Sequence, residues 1–249
     1  MTGLGAVMSF ARDWASARQI QAGFMQLSRP AVDGIDYGAE CRQMEEVGGD
    51  FYHFLPLADD CLAAAIGDAS GKGLPGALMV SNVQSSVRTA TMFAGENLQM
   101  TVEAVNRQVY ESSLAERYAT LFCCVLNSRT RILRYVNAGH PPAIVLRRDG
   151  STLLLESGGA PVGLFPQWKY DEGQIELRAG DVVVAFTDGV VEATNLEGEE
   201  WGLDGILSAV ANCTGLEADE VVQTVLDALD EYTGGEQADD ATVLALRVI

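Results

Sequence analysis

The 249-residue sequence predicts an α+β fold built on antiparallel sheets. Three features of its hydrophobic pattern carry that expectation. Strand-like segments come in runs, helical segments come in pairs, and the regular strand–helix alternation of a doubly wound parallel sheet is missing.

The elements follow in order. Phe10, Trp14, Ala17, Ile20, Phe24 and Leu27 recur at steps of three or four, which predicts an amphipathic helix over 4–29. The plainer role for that stripe is packing on the chain's own domain; the sharper one is a partner-facing or dimerising helix. Short strands are expected at 36–42, 50–57 and 61–66, the last two joined as a hairpin by a tight turn at Asp59-Asp60. Two helices follow at 75–93 and 98–114, separated by Gly95. Leu78, Val80, Val83, Val87 and Met92 mark a buried face on the first, and Val102, Val105, Val109 and Tyr110 on the second. Strands return at 119–126, 132–137, 143–146, 152–155, 174–177 and 181–186, punctuated by the turns "NSRT", "RRDG" and "LRAGD". Helices at 203–211 and 218–232 and a strand at 241–248 close the chain.

Composition narrows the function. With 48% hydrophobic and 20% charged residues the chain is globular. Its 16 basic and 35 acidic residues give a net charge of −19. Such a chain is repelled by nucleic acid and by anionic membranes, and it welcomes divalent cations. No basic-then-apolar leader and no apolar run of transmembrane length appears, so a soluble, cytoplasmic protein is expected. The five cysteines are odd in number and form no C-x-x-C pair, which predicts buried, reduced thiols. Adjacent Cys123 and Cys124 would point to opposite faces of a strand.

The stretch "GDASGKGLPG" (67–76) contains Gly71-x-Gly73-x-x-Gly76, the spacing of a dinucleotide fingerprint. That assignment needs a parallel strand with an acid about 20 residues on. Glu96 stands at that distance, but between two helices. A P-loop fails too, because Ile66 replaces its first glycine and Gly73 its Ser or Thr. What remains is an aspartate, Asp68, at a strand end before a glycine-rich turn. Asp50 in "VGGDFY", Asp188 in "AFTDG", and Asp239 with Asp240 in "QADDATV" have similar settings. Any one of them is ordinary turn chemistry. Together, in a chain with two histidines, they point to one acidic cluster. Crowded carboxylates need a counter-charge, and an all-oxygen set suits magnesium, manganese or calcium rather than zinc.

Six motifs then fall into a recognisable order: "EEVGGDFY" (45–52), "IGDASGKGLPGAL" (66–78), "NAGHPP" (137–142), "GGAPVGL" (158–164), "FTDGVVEATN" (186–195) and "ADDATVLALRV" (238–248). In that order they resemble the metal-dependent protein phosphatases (PPM, or type 2C), in their bacterial SpoIIE-like and RsbU-like branch, from about residue 16 to the end. The resemblance implies a four-layer α-β-β-α sandwich, with 1–29 as an N-terminal linker or regulatory helix and 30–249 as the catalytic domain. It implies two Mn2+ or Mg2+ ions, with Asp68 bridging them and the Ala69 carbonyl as a further ligand. Asp188 and Asp239 would hold one ion and Asp50 the other, directly or through water; Asp240, the weaker of its pair, would stand behind them. The implied reaction is hydrolysis of phosphoserine or phosphothreonine on a protein by a metal-activated water. The implied substrate is a phosphorylated anti-sigma-factor antagonist of STAS fold. Two positions depart from the branch. His53 stands where another aspartate is usual, and is taken as variation on a strand. Lys72 stands near the place where eukaryotic members carry a histidine, and is a candidate phosphate contact. His140, before two prolines, is assigned to a turn. A separate regulator or a second copy would dock on the N-terminal helix. A pseudophosphatase that binds without turnover, or a phosphatase of small molecules, are the alternatives; the intact set Asp50, Asp68, Asp188 and Asp239 favours the enzyme.

Overall fold

Alternating inward and outward side chains gather the strands into two sheets packed face to face. The computed structural model describes residues 3–25, 29–58, 60–113 and 116–249, and for 3–11 the backbone alone. The chain runs α1 (Gly3–Met25), β1 (Ile35–Arg42), β2 (Asp50–Pro56), β3 (Cys61–Ala69), α2 (Gly73–Ala94), α3 (Leu98–Ser112), β4 (Ala119–Asn127) and β5 (Ile132–Ala138). It continues through β6 (Ala143–Leu146), β7 (Thr152–Leu155), β8 (Gly158–Gly159), β9 (Gly173–Glu176), β10 (Val182–Phe186), α4 (Asp188–Val191), α5 (Gly202–Ala211), α6 (Ala218–Thr233) and β11 (Ala241–Val248). One sheet has the order β1-β11-β10-β6-β7. The other has β2-β3-β4-β5-β8, with β9 also on β5. Pairing is antiparallel except where β8 runs parallel to β5.

Strand periodicity sorts the side chains into layers. On β3, Leu62, Ala64 and Ile66 enter the core between the sheets, while Cys61, Ala63 and Ala65 face α2 and α3. On β4, Phe122, Cys124 and Leu126 point between the sheets, and Leu121, Cys123 and Val125 point to the helices. Cys123 and Cys124 thus occupy opposite faces, as expected. Because both faces are covered, these strands read as continuous apolar runs. Val80, Val83 and Val87 of α2 and Val102, Val105 and Val109 of α3 cover the second sheet. Ile206 and Val210 of α5, with Val221, Val225 and Leu226 of α6, cover the first. The result is the expected four-layer α-β-β-α sandwich. The five cysteines are thiols, Cys41 half-buried and the others buried.

Several expectations need correction. Leu78 and Met92 are 65% and 62% exposed, because the buried stripe of α2 runs through 80, 83, 87 and 91 and both residues lie off it. Tyr110 is exposed for the same reason, one position past Val109. β3 extends to Ala69, so Asp68 lies within the strand. The two-residue β8 and the four-residue α4 are too short to leave a periodic signal. Asp59, half of the expected hairpin turn, lies outside the described residues, while β2 and β3 do form the hairpin. Phe10's side chain and Leu27 also lie outside them.

The stripe of α1 is only partly covered: Trp14 and Ala17 are half-buried, while Ile20 and Phe24 are exposed. Among its described side chains only Gln21 is buried. Gln21 Nε2 donates to the Gly48 carbonyl at 2.7 Å, and Gln21 Oε1 accepts from the Gly48 amide at 3.0 Å and from Gln43 Nε2 at 2.8 Å. The helix therefore meets the domain through hydrogen bonds to the 43–49 loop and through Gln84 of α2, whose Nε2 donates to the Phe24 carbonyl at 3.2 Å. No helix among the described residues is long and apolar enough to cross a membrane.

This layering separates two leucine-sized truncations. Ile66→Ala, in the fully buried inter-sheet core, is expected to cost about 2–5 kcal/mol in urea unfolding. Leu78→Ala, on the exposed side of α2, is expected to change stability by about 0.5 kcal/mol or less.

Candidate metal centre

One end of the sandwich collects the aspartates. Asp50 opens β2 and Asp68 stands near the end of β3, and the hairpin register sets them directly opposite. Directly opposed residues share a face of the sheet. Asp188 is the first residue of α4, one residue beyond the end of β10, and Asp239 and Asp240 immediately precede β11. Since β10 and β11 are neighbours in the other sheet, each sheet brings carboxylates to the same end of the interface between them.

Crossed hydrogen bonds hold this arrangement. Asp50, 1% exposed, receives two hydroxyl protons on Oδ2, from Thr187 and from Thr242, each at 2.7 Å. Thr187 Oγ1 in turn accepts from the Thr242 amide at 3.0 Å. In the reverse direction Asp240, from the first sheet, accepts the backbone amides of Met44 and Gly49, both at 2.7 Å. Asp239 Oδ1 accepts the Asp240 amide at 2.9 Å, and Asp239 Oδ2 pairs with Lys72 Nζ at 2.8 Å.

The glycines make room. A Cβ on Gly49 would lie 3.1 Å from Asp68 Oδ1, 3.0 Å from the Ala69 carbonyl and 3.5 Å from the Gly71 carbonyl. Three oxygens thus converge on a cradle that any side chain at 49 would fill. Gly71 adopts φ +111°, which turns the chain out of β3 into α2. A cleft of about 20 Å³ lies here, lined among others by Gly49, Asp68, Gly71, Asp239 and Asp240, which is room for about one water-sized species. A larger cleft of about 360 Å³ adjoins it, lined in part by Arg42, Lys72, Asp188, Glu192, Asp230 and Asp239.

The electrostatics are those of a site short of positive charge. Burial, then the charges of Asp188, Asp239 and Asp240, push the Asp68 carboxyl up to about 8. Burial and the facing Asp68 raise Asp50 well above the carboxylate range, against the pull of its two threonine hydroxyls. Burial and Asp239 raise Asp188. Lys72, whose own pKa is raised by its bond to Asp239, is the cation on this rim, and its side chain is 65% exposed. The donors are carboxylates and backbone carbonyls, the set preferred by hard divalent cations. The oxygen cradle and the ion-sized cleft fit such an ion. Among the described residues, no three acidic side chains already converge on one point as ligands; Asp239 is turned to Lys72.

The expected residues therefore meet: Asp50, Asp68, Ala69, Asp188 and Asp239 surround one end of the sheet interface. Asp240 uses its oxygens on the 43–49 loop. Thr187, Thr242 and Gly49 went unnoticed in the sequence. The signal was a hydroxyl residue beside each acidic motif, "TDG" and "DDAT", and a second glycine before Asp50.

With the fold and this geometry in place, the relatives can be named. The pattern of the Stage II sporulation protein E (SpoIIE) family matches residues 58–249. The chain belongs to that family. It is 28% identical over 258 residues to protein IcfG of Synechocystis, covering 92% of this chain and 40% of that protein. It is 27% identical over 234 residues to phosphoserine phosphatase RsbU of Bacillus subtilis, covering 93% of this chain and 68% of that one. Among solved structures, the SiaA-PP2C domain of Pseudomonas aeruginosa superposes with a TM-score of 0.87 at 20% identity over the whole of both chains. The RsbU and RsbW domains of Rv1364c from Mycobacterium tuberculosis give 0.76 at 26% identity, over 88% of this chain and 61% of that one.

His53 stands apart from the acidic rim, whereas His140 lies beside it, bonded to Thr120, the cross-strand partner of Asp68. His53 is 4% exposed and three residues along β2 from Asp50, hence on the opposite face of the sheet. It meets Arg88 Nη1 at 3.3 Å through Nε2. His140 is buried, with Nδ1 2.8 Å from Thr120 Oγ1 and its amide donated to Asn137 Oδ1 at 2.8 Å in the turn after β5. Burial, then the Arg88 charge, lowers His53 from 6.5 to about 4. The unfolded chain binds that proton near pH 6.5 and the folded chain only near 4. Stability intact above 6.5 is therefore lost as pH falls toward 4, by about 3 kcal/mol from this group. Urea unfolding of His53→Gln across pH 4–7 is expected to show a shallower acid loss than the unaltered chain; parallel profiles would contradict the assignment.

Proposed function

We propose that this SpoIIE-family chain is a metal-dependent phosphoprotein phosphatase that hydrolyses phosphoserine or phosphothreonine. Asp50, Asp68, the Ala69 carbonyl, Asp188 and Asp239 are the residues that would hold its Mn2+ or Mg2+ ions. The observation that carries this reading is the meeting of carboxylates from both sheets, Asp50 buried and Asp68 and Asp188 half-buried, at an oxygen-lined cleft. When bound, the metals supply a water acidic enough to attack at neutral pH and a clamp for the phosphoryl oxygens. The name of RsbU as a phosphoserine phosphatase supports the reaction class. A PstP structure with two manganese ions supports the fold's capacity for the metals.

The chain's own residues then have distinct tasks. Asp50 and Asp68 are fixed by strand pairing and orient the donors. Asp240 holds the 43–49 loop, which brings Gly49 against Asp68. Lys72, the N-cap of α2 paired with Asp239, would supply a positive charge to a phosphate oxygen. The larger cleft beside Asp188 and Asp239 is where protein flanking the phosphorylated residue would lie. We take the substrate to be a phosphorylated anti-sigma-factor antagonist of STAS fold; the RsbU and RsbW domains joined in Rv1364c fit such a partner-switching setting. Residues 1–29 are assigned as a linker or regulatory helix on which a regulator or second copy docks, supported by exposed Ile20 and Phe24.

Phosphate release from a phosphoserine peptide tests the reading. It is expected with Mn2+ or Mg2+ and not with chelator, and Asp68→Asn is expected to lower it about 10²-fold or more. A well-folded protein that releases nothing with either metal, even from an aryl phosphate, would instead be a binding module.

A further inference from the structure

Asp50 is the most buried carboxylate at the site, and the atoms around it come from the other sheet. Thr187 follows β10 as the N-cap of α4, and Thr242 lies on β11. Both are 0% exposed, both donate to the same oxygen of Asp50, and the second donates its amide to the hydroxyl of the first. Three consequences follow from that geometry. Oδ2 of Asp50 is saturated by donors, which leaves Oδ1 as the oxygen available toward Asp68 or a cation. The Thr242 amide fixes one lone pair of Thr187 Oγ1, so its proton is directed rather than free to rotate. Each threonine also sits in the same short stretch as another acid: Thr187 precedes Asp188, and Thr242 follows Asp239 and Asp240 at an interval of one alanine.

We infer that Thr187 and Thr242 are positioning residues for the cation site: their hydroxyls fix the orientation of Asp50 across the sheet interface and set the register between the acids of the two sheets. This rests on reading Asp50 as part of a cation site. Neither threonine touches substrate. Their contribution is to hold a carboxylate, buried against its like-charged neighbour, in one rotamer with one oxygen presented. Loss of such supporting hydrogen bonds typically weakens metal binding by about 10–100-fold.

The test is the Mn2+ dissociation constant of the purified chain, measured by calorimetry without substrate, for Thr187→Val, Thr242→Val and the two Thr→Ser variants. Each valine variant is expected to raise the constant about tenfold or more, and each serine variant to stay within about threefold of the unaltered chain. Folded valine variants with unaltered Mn2+ binding would overturn the inference. Should a valine variant not fold, Thr187→Ala and Thr242→Ala replace it against serine. Serine variants that lose affinity as alanine does would place the effect in the lost methyl group and also overturn it. An unaltered chain that binds no Mn2+ would remove the site itself, whereas Mn2+ binding without phosphatase activity would contradict only the proposed reaction.

Discussion

Mutual repulsion among carboxylates at one end of the sheet interface is the constraint on which the rest of this structure depends. Asp50 and Asp68 face each other across a hairpin, and Asp188, Asp239 and Asp240 approach from the other sheet. Buried like charges at such spacing raise one another's pKa unless a cation or strong donors intervene. Donors intervene in part: two hydroxyls on Asp50 and two amides on Asp240. Lys72 neutralises Asp239. Asp68 has its side-chain hydrogen bond with Asp50, and burial with the charges of Asp188, Asp239 and Asp240 still pushes its carboxyl to about 8. The same atom group borders the oxygen cradle beside Gly49. Charge demand and converging oxygens coincide there, and that coincidence makes the acidic end of the sandwich a candidate reaction centre.

The sandwich makes this crowding tolerable. Neither sheet alone could assemble the acids, because each supplies only part of the set. The inter-sheet core of Ile66, Phe122, Leu126, Ala185 and Leu244 fixes their separation. The hydrogen bonds that cross between sheets at the acidic end then fix their rotamers. The 43–49 loop joins these ties to α1, for Gln21 bonds Gly48 on one side and Asp240 bonds Gly49 on the other. A continuous polar path thus runs from the N-terminal helix to the acids.

Much of this was legible in the sequence. Strand runs and helix pairs gave the fold class, and four acidic motifs beside small residues gave the site, because aspartate at strand ends with glycine leaves a local signature. Other features were not legible, for physical reasons. Leu78 and Met92 look like core until the stripe through Val80, Val83 and Val87 is fixed by the sheet it covers. Ile20 and Phe24 have helical spacing, yet a polar glutamine makes the buried contact. Thr187 and Thr242 lie 55 residues apart and far from Asp50, so their convergence depends on which strands pair. The short α4 and β8 carry no period at all.

The most direct test of the central claim is calorimetric melting of the chain and of Asp68→Asn at neutral pH, each with Mn2+ and with chelator. If repulsion governs this end of the molecule, Mn2+ raises the melting temperature of the unaltered chain, Asp68→Asn melts higher than it in chelator, and the variant gains little from Mn2+. A variant that melts lower in chelator, beside an unaltered chain indifferent to Mn2+, would show that the acids are balanced without a cation and would contradict the account.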